Sequence, residues 1–298
     1  MTKDNLAERD VTQKLLDRVC GLDNQDGNAR LKAILRDLLD NLCYVMDKHD
    51  VTEDELWAAT GYLAEAGPEL GLIVPGLGLE HYMDALMDEN DRRAGVGETG
   101  TPRTIEGPLF VEGAPLSDYE ATMSDEEEDG ERLIIHGTVR DLDGNPVPGA
   151  LMDMWHANLS GFYSHFDPTN SQVPFNNRRK IRTDENGRYR AITIMPSGYS
   201  VPPEGPTDKL LKLLGRHGSR PAHVHYFVRA DGFRHLTTQI NIADDPLVHD
   251  DFAYATRDEL IPDLNRSDDG AEIQFDIELA PSSIGQDYQM SHRKRLQG

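Results

Sequence analysis

The segment Arg220-Pro221-Ala222-His223-Val224-His225-Tyr226-Phe227-Val228 places two imidazoles one residue apart in a β-branched and aromatic run. Such a run favours a strand, whose two-residue period sets His223 and His225 on one face, a single pleat apart. Two neighbouring imidazoles supply half of a metal site. Backbone carbonyls can satisfy the same pair, so the missing ligands decide between the two readings.

Partners for the pair must come from residues that strand pairing brings close. Of the eleven histidines, His49, His81, His217, His235, His249 and His292 stand alone among polar or helical neighbours. The chain has no second His-x-His and no His-Glu-x-x-His. Tyr163 and Tyr199 instead lie in Gly- or Pro-flanked segments just past expected strands, where a rigid scaffold commonly presents functional side chains. A loop tyrosine taken alone is an ordinary packing residue, and composition says nothing to the contrary. Cys20 and Cys43 fall in expected helices away from any second ligand and read as buried thiols.

The elements that must position these residues divide the chain in two. Leu31, Ile34, Leu35, Leu38, Leu39, Leu42, Val45 and Met46 follow the spacing of a one-sided helix. Thr52 with Glu55 forms a capping-box pattern that opens a helix through Leu63, stopped near Gly67-Pro68, and a third helix is expected from about Leu79 to Arg92. Residues 71–78 between them read as an apolar loop with too many breakers to be regular, either a buried connection or a pocket wall. A change of composition over residues 94–102 sets the expected boundary between a helical domain, 1–103, and a second domain, 104–298.

The second domain is punctuated as β structure. Strands are expected over 133–139, 150–155, 189–194, 223–228, 236–242 and 273–279, with turn clusters at 141–146 and an Asn-Gly hairpin signal at Asn186-Gly187. The fold class is therefore α+β, with two packed antiparallel sheets forming a β-sandwich after an all-α region.

Fifty-three acidic against thirty basic residues give a formal charge of -23, which repels phosphate backbones and anionic lipid, so nucleic-acid binding is disfavoured. The acidic run 124–131 reads as a solvated loop, since adjacent carboxylates lack the spacing of a calcium loop. The charged first ten residues show no secretory signal and no stretch has the length of a membrane span, so the expected compartment is the cytoplasm.

Segments 155–167, 194–206 and 214–227, which carry the two tyrosines and the His pair in order, resemble the signature segments of the intradiol ring-cleaving dioxygenases. Residues 231–241 and 250–257 continue the likeness, which is with the branch that cleaves catechol and takes in its helical amino-terminal region. The resemblance implies one Fe(III) per subunit, held by Tyr163, Tyr199, His223 and His225. Phenolate is a hard anionic donor suited to the ferric state, whereas a ferrous site favours two histidines and a carboxylate. It further implies that catechol binds as a dianion while Tyr199 leaves the metal, and that dioxygen opens the ring between the hydroxylated carbons to give cis,cis-muconate.

By the same resemblance Arg220 lies beside the ring to stabilise negative charge, and Gln239 orients Arg220 or the histidines. Leu72, Pro75, Ile105, Pro108, Leu109, Arg220, Phe252 and Ala253 are the implied substrate contacts, and small Ala253 suits an unsubstituted or lightly substituted ring. Ser200-Val201 after Tyr199 departs from relatives, which bears on tolerance for substituents. His136 and His156 are not ligands in this mapping. A homodimer through the helical domain is implied, with a phospholipid in an apolar tunnel between its helices. The competing readings are a hydroxyquinol or chlorocatechol branch with the same iron, a zinc hydrolase built on the His pair, and a non-enzymatic β-sandwich binding module.

Overall fold

The structure is a computed structural model that describes residues 5–95, 100–124, 129–282 and 296–297. Half of the acidic run (125–128), part of the expected boundary (96–99) and His292 lie outside the described residues. The chain forms two compact units, Met1–Gly67 and Pro68–Gly298.

Three helices build the first unit: α1 (Asp10–Val19), α2 (Ala29–His49) and α3 (Glu53–Ala66). Asn28 starts α2 by accepting the Leu31 N–H at 3.0 Å, and the left-handed Asp50 ends it. The capping box opens α3, with Glu55 N–H donating to Thr52 Oγ1 and Thr52 N–H to Glu55 Oε2. The expected apolar periodicity of α2 is present, yet Leu31, Ile34, Leu38, Leu42 and Val45 are exposed and no α2 residue is buried. The two cysteines are unpaired; Cys20 is buried as expected, whereas Cys43 is only half-buried because the surface of α2 is open.

The second unit begins with α4 (Leu70–Gly76) and α5 (Leu79–Arg93). Residues 71–78 are thus mostly a short helix rather than an irregular loop. Their breakers sit near its ends, where Gly78 at φ 73° stops the helix, and burial of Ile73, Pro75 and Gly76 holds the short helix together. Helix α6 (Pro206–Leu213) takes proline at its first position, where no N–H is missed.

The strands are β1 (Val111–Glu112), β2 (Leu116–Asp118), β3 (Glu120–Thr122), β4 (Arg132–Asp141), β5 (Leu151–His156), β6 (Arg178–Arg182), β7 (Arg188–Ile194), β8 (Tyr199–Ser200), β9 (Ser219–Arg220), β10 (His223–Arg229), β11 (Leu236–Asn241), β12 (Leu264–Ser267), β13 (Gly270–Gln274) and β14 (Ile277–Leu279). One sheet runs β11-β10-β5-β6-β2 and the facing one β12-β13-β4-β7-β3, with β14 also on β4. Met152, Met154, Val224 and Tyr226 of the first sheet pack against Leu133, Ile135, Tyr189 and Ile273 of the second in one core.

The sandwich is as expected, but its sheets are mixed. Strands β2, β3, β13 and β14 each add parallel to a partner distant in sequence. Parallel addition runs through long crossovers, which leave no short turn signal to read. The Asn186-Gly187 turn closes locally, with Gly187 N–H donating to Asp184 O, but β6 and β7 belong to different sheets and form no hairpin.

Candidate metal centre

The alternation of β10 divides its side chains between two environments. Val224, Tyr226 and Val228 enter the sandwich core, while His223, His225 and Phe227 face the other way. Register then assembles a site on that outer face. Trp155 lies opposite His225 on β5 and stacks on it at 4.8 Å and 8°, and Gln239 lies opposite His225 on β11.

Two loops bring the tyrosines over this face. Past β5, Asn158 Oδ1 accepts the Ser160 and Phe162 N–H groups, closing a tight loop that delivers Tyr163 at 2% exposure. Gly161, at φ 78°, lets the two loops touch: a Cβ there would stand 2.9 Å from Gly198 O and 3.1 Å from Tyr199 Cβ. Tyr199 is held on β8, paired across from Arg220 on β9. The rings of Tyr163 and Tyr199 meet edge to face at 5.5 Å.

The four side chains named from the sequence therefore converge. Tyr163 Oη is 3.2 Å and His225 Nε2 is 3.0 Å from His223 Nε2. The 2.7 Å contact of His223 Nδ1 with Pro221 O makes Nδ1 the donor and leaves the lone pair on Nε2. Arg220 Nη1 also approaches that atom, at 3.1 Å. One lone pair cannot serve three neighbours, whereas a cation between the oxygen and nitrogen atoms would be served by all the ligands at once. His225 Nδ1 has no hydrogen-bond partner among the described residues.

Electrostatics agree with this reading. Burial first, and Arg220 second, push His223 down to about 3; burial, His223 and Arg220 hold His225 well below its usual value. Both imidazoles are thus neutral donors. Burial pushes both phenols up, with Tyr199 adding to the shift at Tyr163 and Arg220 opposing it at both, so the phenols keep their protons until a cation displaces them. Among the described residues no group of three His, Cys, Asp or Glu side chains could hold a metal, so this constellation depends on its phenols. Two hard oxygen anions with two imidazoles, and no thiolate or carboxylate, fit a trivalent iron better than zinc.

Around these four, Arg220 is 2% exposed in its side chain and fully engaged on one edge. Its Nε donates to Asp251 Oδ1 and Oδ2 at 3.1 and 3.2 Å, and its Nη2 donates to Asp251 Oδ2 and Gln239 Oε1, both at 2.9 Å. Burial works against the Arg220 cation, but Asp251 and the tyrosines outweigh it and hold the group protonated. Gln239 in turn donates to Asn241 Oδ1 at 3.0 Å.

The apolar residues named from the sequence fall in three places. Ile105, Phe252 and Ala253 pack together with Leu72; Leu109 packs with Tyr163, Tyr199, Phe110 and Trp155; Pro108 lies against Gly71, and Pro75 is buried in α4. His156 is a core residue, its ring nitrogens 2.7 Å from Ala157 O and Thr193 Oγ1, and His136 contacts Glu272 at 2.8 Å. A separate depression of about 330 Å³ on the other sheet, lined by Tyr119, His136, Arg188 and Glu272 among others, includes none of the candidate site residues.

Sequence reasoning missed Trp155, Asp251, Arg178 and Gly161. Arg178 is a buried cation whose Nε and Nη2 bond Ser164 and whose guanidinium lies 5.7 Å from the Tyr163 ring centre. Nothing local marks these residues: the strand register and the loop approach, both long-range, give them their place.

Fold and site together describe a β-sandwich protein with a largely buried set of two phenols and two imidazoles able to hold one hard metal ion. The chain matches the model of the Dioxygenase family over residues 105–281 and that of the catechol dioxygenase N terminus over residues 28–95. It is 50% identical to the catechol 1,2-dioxygenase of Acinetobacter baylyi, with 95% of this chain and 96% of that protein covered. The solved catechol 1,2-dioxygenase of Acinetobacter sp. ADP1 superposes with a TM-score of 0.93 at 49% identity, covering 98% of this chain and 99% of that one. That of Pseudomonas arvilla C-1 gives 0.91 at 46% identity, with 98% of each chain covered. The protein belongs to the intradiol ring-cleaving dioxygenase family.

Proposed function

We propose that this protein cleaves catechol with dioxygen, between the two hydroxylated carbons, to cis,cis-muconate, at one Fe(III) held by Tyr163, Tyr199, His223 and His225. The convergence of Tyr163 Oη and His225 Nε2 within 3.0–3.2 Å of His223 Nε2, beside a buried arginine, carries the reading. Ferric iron, when bound, supplies the Lewis acidity that draws catechol in as a dianion and makes its ring reactive to dioxygen.

The chain's own groups do the rest. His223 and His225 enter as neutral donors, and Pro221 O keeps the His223 ring oriented. Tyr199 is the phenolate that accepts one catechol proton and hydroxide from solvent would take the other, so no separate carboxylate base is needed. Arg220 spends Nε and Nη2 on Asp251 and Gln239, while its Nη1, 3.1 Å from His223 Nε2, lies on the side of the proposed ligands, where it would stabilise negative charge on the substrate ring and the new carboxylates. Leu72, Pro75, Ile105, Pro108, Leu109, Phe252 and Ala253 form the apolar surroundings of the ring and exclude water.

Aerobic incubation with catechol, following oxygen uptake and muconate, tests the activity, with chlorocatechols and hydroxyquinol as parallel substrates. The iron-loaded protein is expected to be visibly coloured by tyrosinate-to-iron charge transfer. A colourless, iron-free preparation that turns over substrate would sink the iron reading.

The helical region, residues 1–103, is assigned to homodimerisation. The exposed Leu31, Ile34, Leu38, Leu42 and Val45 on α2 support this, since an apolar stripe of that length is usually covered. A phospholipid between the paired helices is a further part of the reading, tested by mass spectrometry of extracted lipid. Two unpaired cysteines accord with a reducing cytoplasm, and no helix among the described residues is long and apolar enough to cross a membrane.

A further inference from the structure

Asp251 meets Arg220 on one side and its own chain on the other. Its side chain is 1% exposed, and both oxygens bond the guanidinium. The same two oxygens accept the backbone N–H of Ala253 at 3.0 Å and of Ala255 at 3.4 Å, while Tyr254 N–H donates to Asp251 O at 3.0 Å. That turn contains Tyr254 at φ 56°, a conformation that costs a non-glycine residue energy and persists only where surrounding bonds enforce it. Phe252 N–H donates to Ser219 O, on the strand that carries Arg220. Phe252 and Ala253 belong to the proposed substrate wall.

A single carboxylate thus fixes the arginine and the wall against each other. We propose that Asp251 is a positioning residue for ring cleavage, aiming Arg220 Nη1 at the substrate while holding the Phe252–Ala253 turn at a set distance from it. The assignment rests on the reading that Arg220 faces the substrate ring. The geometry favours more than a loop cap: three of the five contacts made by the carboxylate go to the guanidinium, and they occupy the edge opposite Nη1. A planar fork held on one edge can point its remaining nitrogen in only one direction.

Asp251→Asn separates the two roles. An asparagine keeps one carbonyl oxygen for the Ala253 N–H and is itself a good turn cap, but it turns an NH2 group toward the arginine, donor against donor. With the iron-loaded variant on catechol, kcat is expected to fall by roughly tenfold or more, the range typical of residues that orient a reacting group, with KM within about threefold and the visible colour retained. A fall below about fivefold, a change confined to KM, or loss of the colour would each overturn the proposal, the last because it indicates general collapse of the site. Asp251→Glu, which keeps the charge and moves it by one methylene, serves if the asparagine variant does not fold, and wild-type kcat in it overturns the proposal equally. Arg220→Ala distinguishes the underlying reading: if it turns catechol over like the wild type, Arg220 does not act on substrate and the role of Asp251 lapses with it.

Discussion

At the scale of single residues, the histidine pair already has the protonation state and orientation that the proposed metal would require. Each ring is neutral because burial and Arg220 disfavour its charged form, and His223 is fixed through Nδ1 so that its Nε2 lone pair faces the phenols. Such preparation lowers the reorganisation that binding would otherwise require. His223→Ala removes a proposed ligand and the atom on which Tyr163, His225 and Arg220 converge. Loss of iron measured by metal analysis, loss of the visible band, and a drop in ring cleavage exceeding ~100-fold are expected, since even residues that merely support a ligand cost 10–100-fold. Retention of iron with unchanged spectrum would remove His223 from the ligand set.

Elements bring these residues together by close approach. Gly161 is the clearest case, because its positive φ, and the 2.9 Å at which an added Cβ would meet Gly198 O, leave no room for a side chain between the segments that present Tyr163 and Tyr199. Gly161→Ala is expected to cost about 1–2 kcal/mol of stability from the left-handed backbone alone. It should also shift the charge-transfer band by moving the two tyrosines apart; an unchanged spectrum and melting temperature would show that the approach is not tight. A second effect belongs to α5, where Asp84 is buried and pushed up to about 7, chiefly by burial and by Glu80, against Arg257 and Arg103. The folded protein therefore keeps a proton that the unfolded chain loses near the ordinary carboxylate value. This contribution is present below about pH 4 and is lost as pH rises to about 7, amounting to a term on the order of 4 kcal/mol. Asp84→Asn should raise the melting temperature at pH 8 much more than at pH 4; equal gains at both would refute the linkage.

For the whole molecule, the exposed stripe of α2 asks for a partner, and a second copy is the proposed one. Leu38→Glu places a charge at a residue that is 61% exposed in the single chain. Light scattering should then give half the wild-type mass, with ring cleavage per subunit largely kept because the candidate ligands all come from one chain. An unchanged mass would mean that this face is not the interface. The sequence by itself determined the helices of the amino-terminal region, the strand that carries His223 and His225, and, through its likeness to a family, the four candidate ligands. Those features reside in short-range periodicity, caps and ordered motifs. It could not show that residues 71–78 coil into α4, that the sheets are mixed, or that Asn186-Gly187 turns between sheets instead of closing a hairpin. Nor could it single out Trp155, Arg178 or Asp251, because each takes its place from strand register or from contact between segments far apart in the chain. Which residues touch across such distances is settled by packing, where burial and shape outweigh local preference, and only the tertiary structure records the result.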